Sequence, residues 1–151
     1  MVAASGVRMN AQQLRDRSKR FAIDIVRLCR GLPPEWVGRT LAQQLLRSGT
    51  PIAANYRAAC RGRSDKEFCA KLGVVAEESD ESLLWLELLA VGSPAIRGNN
   101  YARLLQEADE LTAIFTASYK TARANQKKKK NEKKQSRRTT KPAKSPNHQI
   151  P

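Results

Sequence analysis

The chain has few of the residues on which enzymes and metal proteins most often depend. It contains one histidine, His148, and three cysteines, Cys29, Cys60 and Cys69, with no C-x-x-C pair. Di-iron helical bundles need Glu-x-x-His pairs on facing helices, and the sequence has none. It also lacks a Gly-x-Ser-x-Gly motif and a phosphate-cradling loop. We therefore expect no metal, no cofactor and no enzymatic activity.

Long apolar runs are absent as well. No run approaches the roughly 18 residues that a membrane-spanning helix needs. The first residues, Met1 to Gly6, do not form the apolar core of a secretory signal. An odd number of scattered cysteines fits a reducing compartment rather than a disulfide framework. These absences together predict a cytoplasmic protein.

Apolar residues recur with helical spacing through most of the chain, and no segment alternates with the period of a strand. The pattern predicts helices at about 10–30, 35–61, 65–91 and 101–124. Asn10 is a suitable cap for the first of them. Short connections between four helices favour an antiparallel up-down-up-down bundle, so the predicted fold class is all-α. Residues 1–9 are predicted to be a flexible start.

Helix 2 is interrupted in the sequence by Pro51, which removes one backbone hydrogen bond at a cost of roughly 3 kcal/mol in an isolated helix. We expect a kink there, with the hydroxyl of Ser48 or Thr50 bonding the carbonyl freed at Arg47. Small residues on one side of this helix allow another helix to approach closely. After Gly62, the pair Ser64 and Glu67 has the spacing of a capping box.

Helix 3 has two apolar faces. Its main stripe predicts the contact with the bundle core: Phe68, Leu72, Val75, Ser79, Leu83, Leu86 and Ala90. A second set, mixed with acids, predicts a contact with another subunit: Val74, Leu84, Trp85 and Leu88. One apolar face is enough for a helix in a lone bundle, so we expect self-assembly, with the small-residue side of helix 2 as the other contact surface.

Several polar residues lie beside the predicted buried stripes. We expect these residues to set helix register as a structural polar core: Gln44, Asn55, Glu78, Asp80 and Glu87. Because buried charges need partners, Arg47 or Arg57 is expected to pair with one of the acids, within the bundle or across a subunit boundary. A polar ligand pocket and a carboxylate-only metal site are the alternatives.

The positive charge is concentrated at one end of the chain. The net charge is +14, yet residues 126–151 alone hold ten Lys or Arg and one acid. With almost no apolar residue, this segment is predicted to be disordered, which limits the bundle to residues 10–125. Such a run binds nucleic acid through phosphate contacts, although a purely solubilising role is the alternative. The candidate contacts are Arg47, Arg57, Arg61, Arg63, Lys127, Lys128, Lys129, Lys130, Lys133, Lys134, Arg137 and Arg138.

Two segments carry a resemblance to a known family. They are QLLRSGTPIAANYRAACRGRSDKEF, from residue 44, and KLGVVAEESDESLLWLELL, from residue 71. In order, they combine Asn55, an Arg-Ser turn and an acidic helix with W-L-E-L. This arrangement resembles the four-helix proteins found in intervening sequences of bacterial 23S ribosomal RNA genes, over roughly residues 14–119. Pro51 before Ile52 is a departure, since many members have Ser-Ile there.

The resemblance implies a four-helix protomer that assembles into a ring, plausibly a pentamer. It also implies a relation to the accessory bundles of reverse transcriptases in diversity-generating retroelements, whose basic surface contacts RNA and the polymerase. The leading hypothesis is therefore a non-enzymatic, oligomeric bundle that binds nucleic acid, with RNA as the preferred partner. The alternative is a protein-interaction scaffold or a reverse-transcriptase accessory subunit with no RNA role of its own.

Overall fold

The computed structural model describes residues 9–96 and 98–139. They form four α-helices and one short 3-10 helix: α1 (Ala11–Arg30), α2 (Trp36–Cys60), α3 (Asp65–Gly92), the 3-10 helix (Pro94–Ile96) and α4 (Asn99–Thr139). No strand occurs among the described residues. The prediction of an all-α four-helix bundle is confirmed.

The first three helices begin and end close to where the sequence predicted. Asn10 caps α1: its side chain accepts from the backbone N–H of Gln13, while the Gln13 side chain accepts from the N–H of Asn10, both at 2.8 Å. Ser64 caps α3 by accepting from the N–H of Glu67 at 3.1 Å. The Glu67 carboxylate reaches one residue further than a capping box requires and accepts from the N–H of Arg63. Local capping chemistry therefore places these helix starts.

Helix α2 continues through Pro51, and the hydroxyls before it behave differently from the prediction. Thr50 donates to the carbonyl of Leu46 at 2.7 Å, and Ser48 lies 3.4 Å from the carbonyl of Leu45. Neither bonds the carbonyl of Arg47, so that part of the prediction is wrong. A helical Ser or Thr hydroxyl reaches back three or four residues along its own helix, which leads these two to earlier carbonyls.

The core lies on the axis shared by the four helices. Its fully buried members include Phe21, Ile25, Leu45, Ile52, Leu72, Leu86, Leu111 and Phe115. Tyr56 and Phe115 pack with ring centroids 5.2 Å apart. Gly49 has to be small, because a Cβ there would lie 2.1 Å from the Cδ1 atom of Ile25. Helix α1 therefore meets α2 at close range at this point.

Contacts at both ends of the bundle show which helix termini lie together. Gly38 near the start of α2 faces Ser93 just after α3, and Gly73 near the start of α3 faces Tyr119 on α4. The end at which α1 stops and α2 starts is therefore also the end at which α3 stops and α4 starts. We call it the Pro33 end of the bundle. The opposite end holds the α2–α3 turn, and α4 extends past it.

Candidate nucleic-acid interface

Helix α4 is much longer than the sequence analysis predicted, since it ends at Thr139 rather than near residue 124. The predicted disorder from residue 126 is therefore wrong for residues 126–139, and its remainder, residues 140–151, lies outside the described residues. The physical reason is propensity. Lys, Arg, Gln and Glu are good helix formers, and neither Gly nor Pro occurs between residues 99 and 139. Cations are also favoured near a helix C-terminus.

A contact with α3 fixes where the extension begins to leave the bundle. The ammonium group of Lys129 donates to the carboxylate of Asp65, the first residue of α3, at 2.5 Å. The hydrogen bond and charge of Lys129, with a smaller effect of Lys133, hold the pKa of Asp65 below its ordinary value. Both partners of the pair are exposed, so it orients the helix more than it stabilises it.

On either side of this contact, four cations form one line along α4. Lys127, Lys130, Lys134 and Arg137 are spaced by three, four and three residues and are all exposed. At 100° per residue they lie within about 80° of one another, along roughly 15 Å of helix. We call these four residues the cationic stripe. Lys129 and Lys133 point to the side of Asp65, and the middle of the stripe lies roughly 100° around the helix from them.

The α2–α3 turn adds further positive charge at the same end. Arg61 and Arg63 are exposed and flank the turn that leads to Asp65, and Arg57 is exposed one turn earlier on α2. The structure therefore places three of the four predicted arginines at the end of the bundle where the cationic stripe begins. Arg47 is exposed too, but ten residues before Arg57, or roughly 15 Å along α2.

One further exposed arginine of α2, near the Pro33 end, was not among the predicted contacts. Arg39 is exposed on α2, and its guanidinium donates to the carbonyl of Pro34 at 2.8 Å. The signal was available, because α2 carries Arg39, Arg47 and Arg57 and no acid between residues 36 and 60. The exposed side of α2 is therefore uniformly positive in its charged residues.

The predicted polar core is only partly present. Gln44, Asn55 and Glu78 are half-buried, whereas Asp80 and Glu87 are exposed, so the prediction is wrong for these last two. Their helical angle places them beyond the edge of the buried stripe. Burial, followed by repulsion from Glu81 and Glu77, raises the pKa of Glu78. The buried polar side chains near the core are instead serines: Ser18, Ser48, Ser79, Ser82 and Ser93.

A charged cluster that the sequence analysis did not find joins α1 to α4. The guanidinium of Arg17 donates to both carboxylate oxygens of Glu107, at 2.6 and 2.8 Å, and also to Glu110. These bonds raise the pKa of Arg17 and lower that of Glu110. The sequence did contain a signal for this cluster: Glu107 and Glu110 are three residues apart and flank the buried stripe of Ala108 and Leu111. The expected ion pairs of Arg47 and Arg57 do not form within the part of the subunit that the structure describes.

Three of the four residues predicted to contact another subunit are exposed. They are Val74, Leu84 and Leu88, with exposed fractions of 37%, 47% and 40%. The fourth, Trp85, is half-buried and packs against the core of its own subunit. The assembly itself stays a prediction.

Residues 9–96 and 98–139 contain neither a cluster of metal-binding side chains nor a membrane-spanning helix. No group of three or more His, Cys, Asp or Glu there could hold a metal ion. None of the described helices is long and apolar enough to cross a membrane. His148 lies outside the described residues.

Comparison with known proteins adds the family. The family model of the 23S rRNA-intervening sequence proteins matches residues 11–117, which span α1, α2, α3 and the first half of α4. The chain belongs to this family. The cationic stripe lies beyond the matched segment, so it is not part of what defines the family's fold. No curated protein matches the chain.

A solved structure supports the same family assignment. It is the crystal structure of a protein with unknown function from the S23 ribosomal protein family of Bacteroides thetaiotaomicron VPI-5482. Its sequence is 31% identical to this chain, the two superimpose with a TM-score of 0.64, and the match covers 74% of this chain and 99% of that protein. The resemblance seen in the sequence is thus confirmed, whereas the relation to retroelement proteins stays a prediction.

Proposed function

We propose that this protein is a non-enzymatic, self-assembling helical bundle that binds RNA through the cationic stripe of α4 and the neighbouring arginines of the α2–α3 turn. The observation that carries the proposal is the stripe itself: four exposed cations aligned on a helix that leaves the bundle. The family name, which refers to 23S rRNA, makes RNA the first nucleic acid to test. Three free cysteines suit the reducing cytoplasm as its location.

The physical basis is electrostatic. A line of cations roughly 15 Å long spans several phosphates of a duplex, and each neutralised phosphate releases condensed counterions. The stripe contains no aromatic side chain, so bases have no platform on which to stack. Binding should therefore depend steeply on salt, show little sequence preference and favour duplex over single strands, whose charges are less dense.

A matched pair of single substitutions on α4 tests the proposal. Lys134→Gln removes a cation of the stripe, and Lys128→Gln removes one that lies roughly 120° away around the helix. Both variants lose one positive charge in the same segment. Fluorescence anisotropy with a labelled RNA duplex should show a several-fold weaker affinity for Lys134→Gln and a smaller loss for Lys128→Gln, together with a shallower salt dependence for the first.

The outcomes separate the competing roles. Equal losses for the two variants would show that net charge, not the stripe, attracts RNA. Equal affinity of all variants and the parent protein, or no binding at about 100 mM salt, would contradict the proposal. Tighter binding to duplex DNA than to RNA would identify DNA as the partner. A scaffold function without nucleic acid is the second candidate, because α3 exposes Leu84 and Leu88 on the side away from the core.

A further inference from the structure

The outer face of α3 is a seam for another helix. Its exposed positions follow the alternating spacing of four and three residues that marks helix pairing: 70, 74, 77, 81, 84, 88 and 91. In the last two turns the seam is apolar, with Leu84, Leu88 and Val91 exposed by 47%, 40% and 72%. We call these positions, with the acids beside them, the α3 ridge.

The charge on the α3 ridge is entirely negative from Val74 onward. The exposed acids are Glu77, Asp80, Glu81 and Glu87. None of the four forms an ion pair with another residue in the described structure. If the α3 ridges of two copies faced each other across a two-fold axis, like charges would meet. The ridge of one copy therefore does not pair with the ridge of another. Its partner has to be apolar along the middle and positive at the sides.

A groove between α1 and α4 has these properties. Its volume is about 1120 Å³, and its floor is formed by apolar side chains: Phe21, Leu28, Leu32, Ile96 and Leu104. Its lining residues on α1 run from Arg17 to Gly31, so the groove extends roughly 20 Å along the bundle. The apolar part of the α3 ridge, from Leu84 to Val91, is eight residues long.

The groove is also positive where it meets solvent. Its three acids are already paired or hydrogen-bonded within the subunit, Asp24 with Arg27 and Glu107 and Glu110 with Arg17. Arg20 and Arg103 remain on the rim, exposed and with no ion pair to any described residue. The groove therefore presents two unpaired cations beside an apolar floor.

The two surfaces match in height as well as in character. Measured from the Pro33 end at 1.5 Å per residue, Leu84 lies about 12 Å and Ile23, exposed on α1 beside the groove, about 10 Å along the bundle. Glu87 and Arg103 both lie about 6–8 Å from that end. Glu81 and Arg20 lie about 16 and 15 Å from it. Rotation about an axis parallel to the bundle preserves these heights.

We propose that the α3 ridge of one protomer packs into the α1–α4 groove of a second copy. Leu84 and Leu88 cover the apolar floor, while Glu81 and Glu87, on opposite flanks of the ridge, pair with Arg20 and Arg103. The α3 ridge and the α1–α4 groove lie on different sides of the bundle. Each copy therefore inserts its ridge into the groove of one neighbour, and its own groove receives the ridge of another. The inference rests on the proposed self-assembly and adds the pair of surfaces that produces it. The small-residue side of α2 is not needed for this contact.

Complementary charge reversals test this pairing. The ridge variant carries Glu81→Lys and Glu87→Lys, and the groove variant carries Arg20→Glu and Arg103→Glu. Light scattering without nucleic acid should show a large assembly for the parent protein and a dissociation constant at least about tenfold higher for each variant alone. A mixture of the two variants should regain the larger mass, because each reversed surface then meets its opposite charge.

Two controls make the result decisive. Glu132→Lys with Asp109→Lys makes the same change of charge at exposed acids outside both surfaces and should keep the parent mass. Leu88→Ser should dissociate the assembly without a change of charge. Circular dichroism checks that every variant is folded, as expected for exposed positions.

Three results would overturn the pairing: a monomeric parent protein, variants that keep the parent mass, or a mixture that stays dissociated. A monomeric parent would mean that the two surfaces serve a different protein. Because RNA is absent from these measurements, their failure is distinguishable from a failure of RNA binding, which the Lys134→Gln variant reports.

Discussion

Two sides of the same bundle are held together in opposite ways. Between α2 and α3 the contact is close and uncharged: the hydroxyls of Ser48 and Ser82 lie 2.9 Å apart in the buried interior. Gly92 is equally close to α2, since a Cβ there would lie 2.9 Å from Leu41. Between α1 and α4 the helices leave an open groove, and Arg17 joins them through Glu107 and Glu110.

The difference teaches where this bundle can accept a partner. A side closed by small residues has no room for a further helix, and its stability comes from packing over short distances. A side closed by one arginine and two carboxylates keeps its remaining apolar surface near solvent. Of these two sides, only the α1–α4 side can therefore receive a second chain without unpacking the core.

The largest loss of stability is expected on the closely packed side. Leu86 of α3 is fully buried. Leu86→Ala should lower the free energy of unfolding by about 3 kcal/mol, because it removes buried methyl groups and leaves a cavity. Urea unfolding followed by circular dichroism measures the change. Lys120→Ala, at an exposed position of α4, is the control and should shift stability by less than about 0.5 kcal/mol.

A smaller loss is expected when the charged contact of the open side is broken. Only 14% of the Arg17 side chain is exposed, and Arg17→Met leaves two carboxylates without their cation. We expect a loss of about 2 kcal/mol in the same unfolding measurement. Arg17→Lys keeps the charge without the two-pronged geometry and should recover only part of the loss. A neutral effect of Arg17→Met would show that packing alone closes this side.

The buried hydroxyl contact between α2 and α3 should contribute less than either. The Ser82 hydroxyl lies within hydrogen-bond distance of both Ser48 and the carbonyl of Glu78. Ser82→Ala should cost about 1 kcal/mol, the usual net value of one hydrogen bond. Thr121→Val on α4 serves as the comparison, because it also removes a hydroxyl, at an exposed position. If the two variants had the same melting temperature, the stability of the α2–α3 side would come from packing alone.

The smallest effect is expected from acid. The hydrogen bond from Arg17 lowers the pKa of Glu110 below its ordinary 4.5. The stabilising contribution of an acid with a lowered pKa is present above the ordinary pKa and is lost as pH falls below it. Glu110→Gln should therefore flatten the fall of melting temperature between about pH 5 and about pH 3. Asp109→Asn, an exposed neighbour, should leave that fall unchanged.

Much of the bundle could be predicted from sequence because its signals are local. The caps at Asn10 and Ser64 depend on residues three positions away, and the stripe through Leu72, Val75 and Leu86 depends on helical spacing alone. The predicted end of α4 near residue 124 was wrong, because it followed from burial alone and not from helix propensity. A segment rich in Lys and Gln has little to bury, yet it readily continues a helix that is already formed.

The candidate surfaces were less predictable. The two apolar faces of α3 predicted that Leu84 and Leu88 would be exposed. For Asp80 and Glu87 the prediction was wrong, because their helical angles lie close to the boundary between the buried and exposed faces. The three-residue contact of Arg17 links positions about 90 apart in sequence, and helical spacing carries no information about which helices become neighbours.

By itself the sequence determined four helices, the caps of α1 and α3, the face that each helix buries and the excess of positive charge near the C-terminus, because all of these depend on neighbours within a turn or two. Tertiary structure alone decided which side of the bundle is closed and which is open. It also decided that Lys129 meets Asp65, which sets the direction of the cationic stripe, because such contacts exist only after distant segments have packed together.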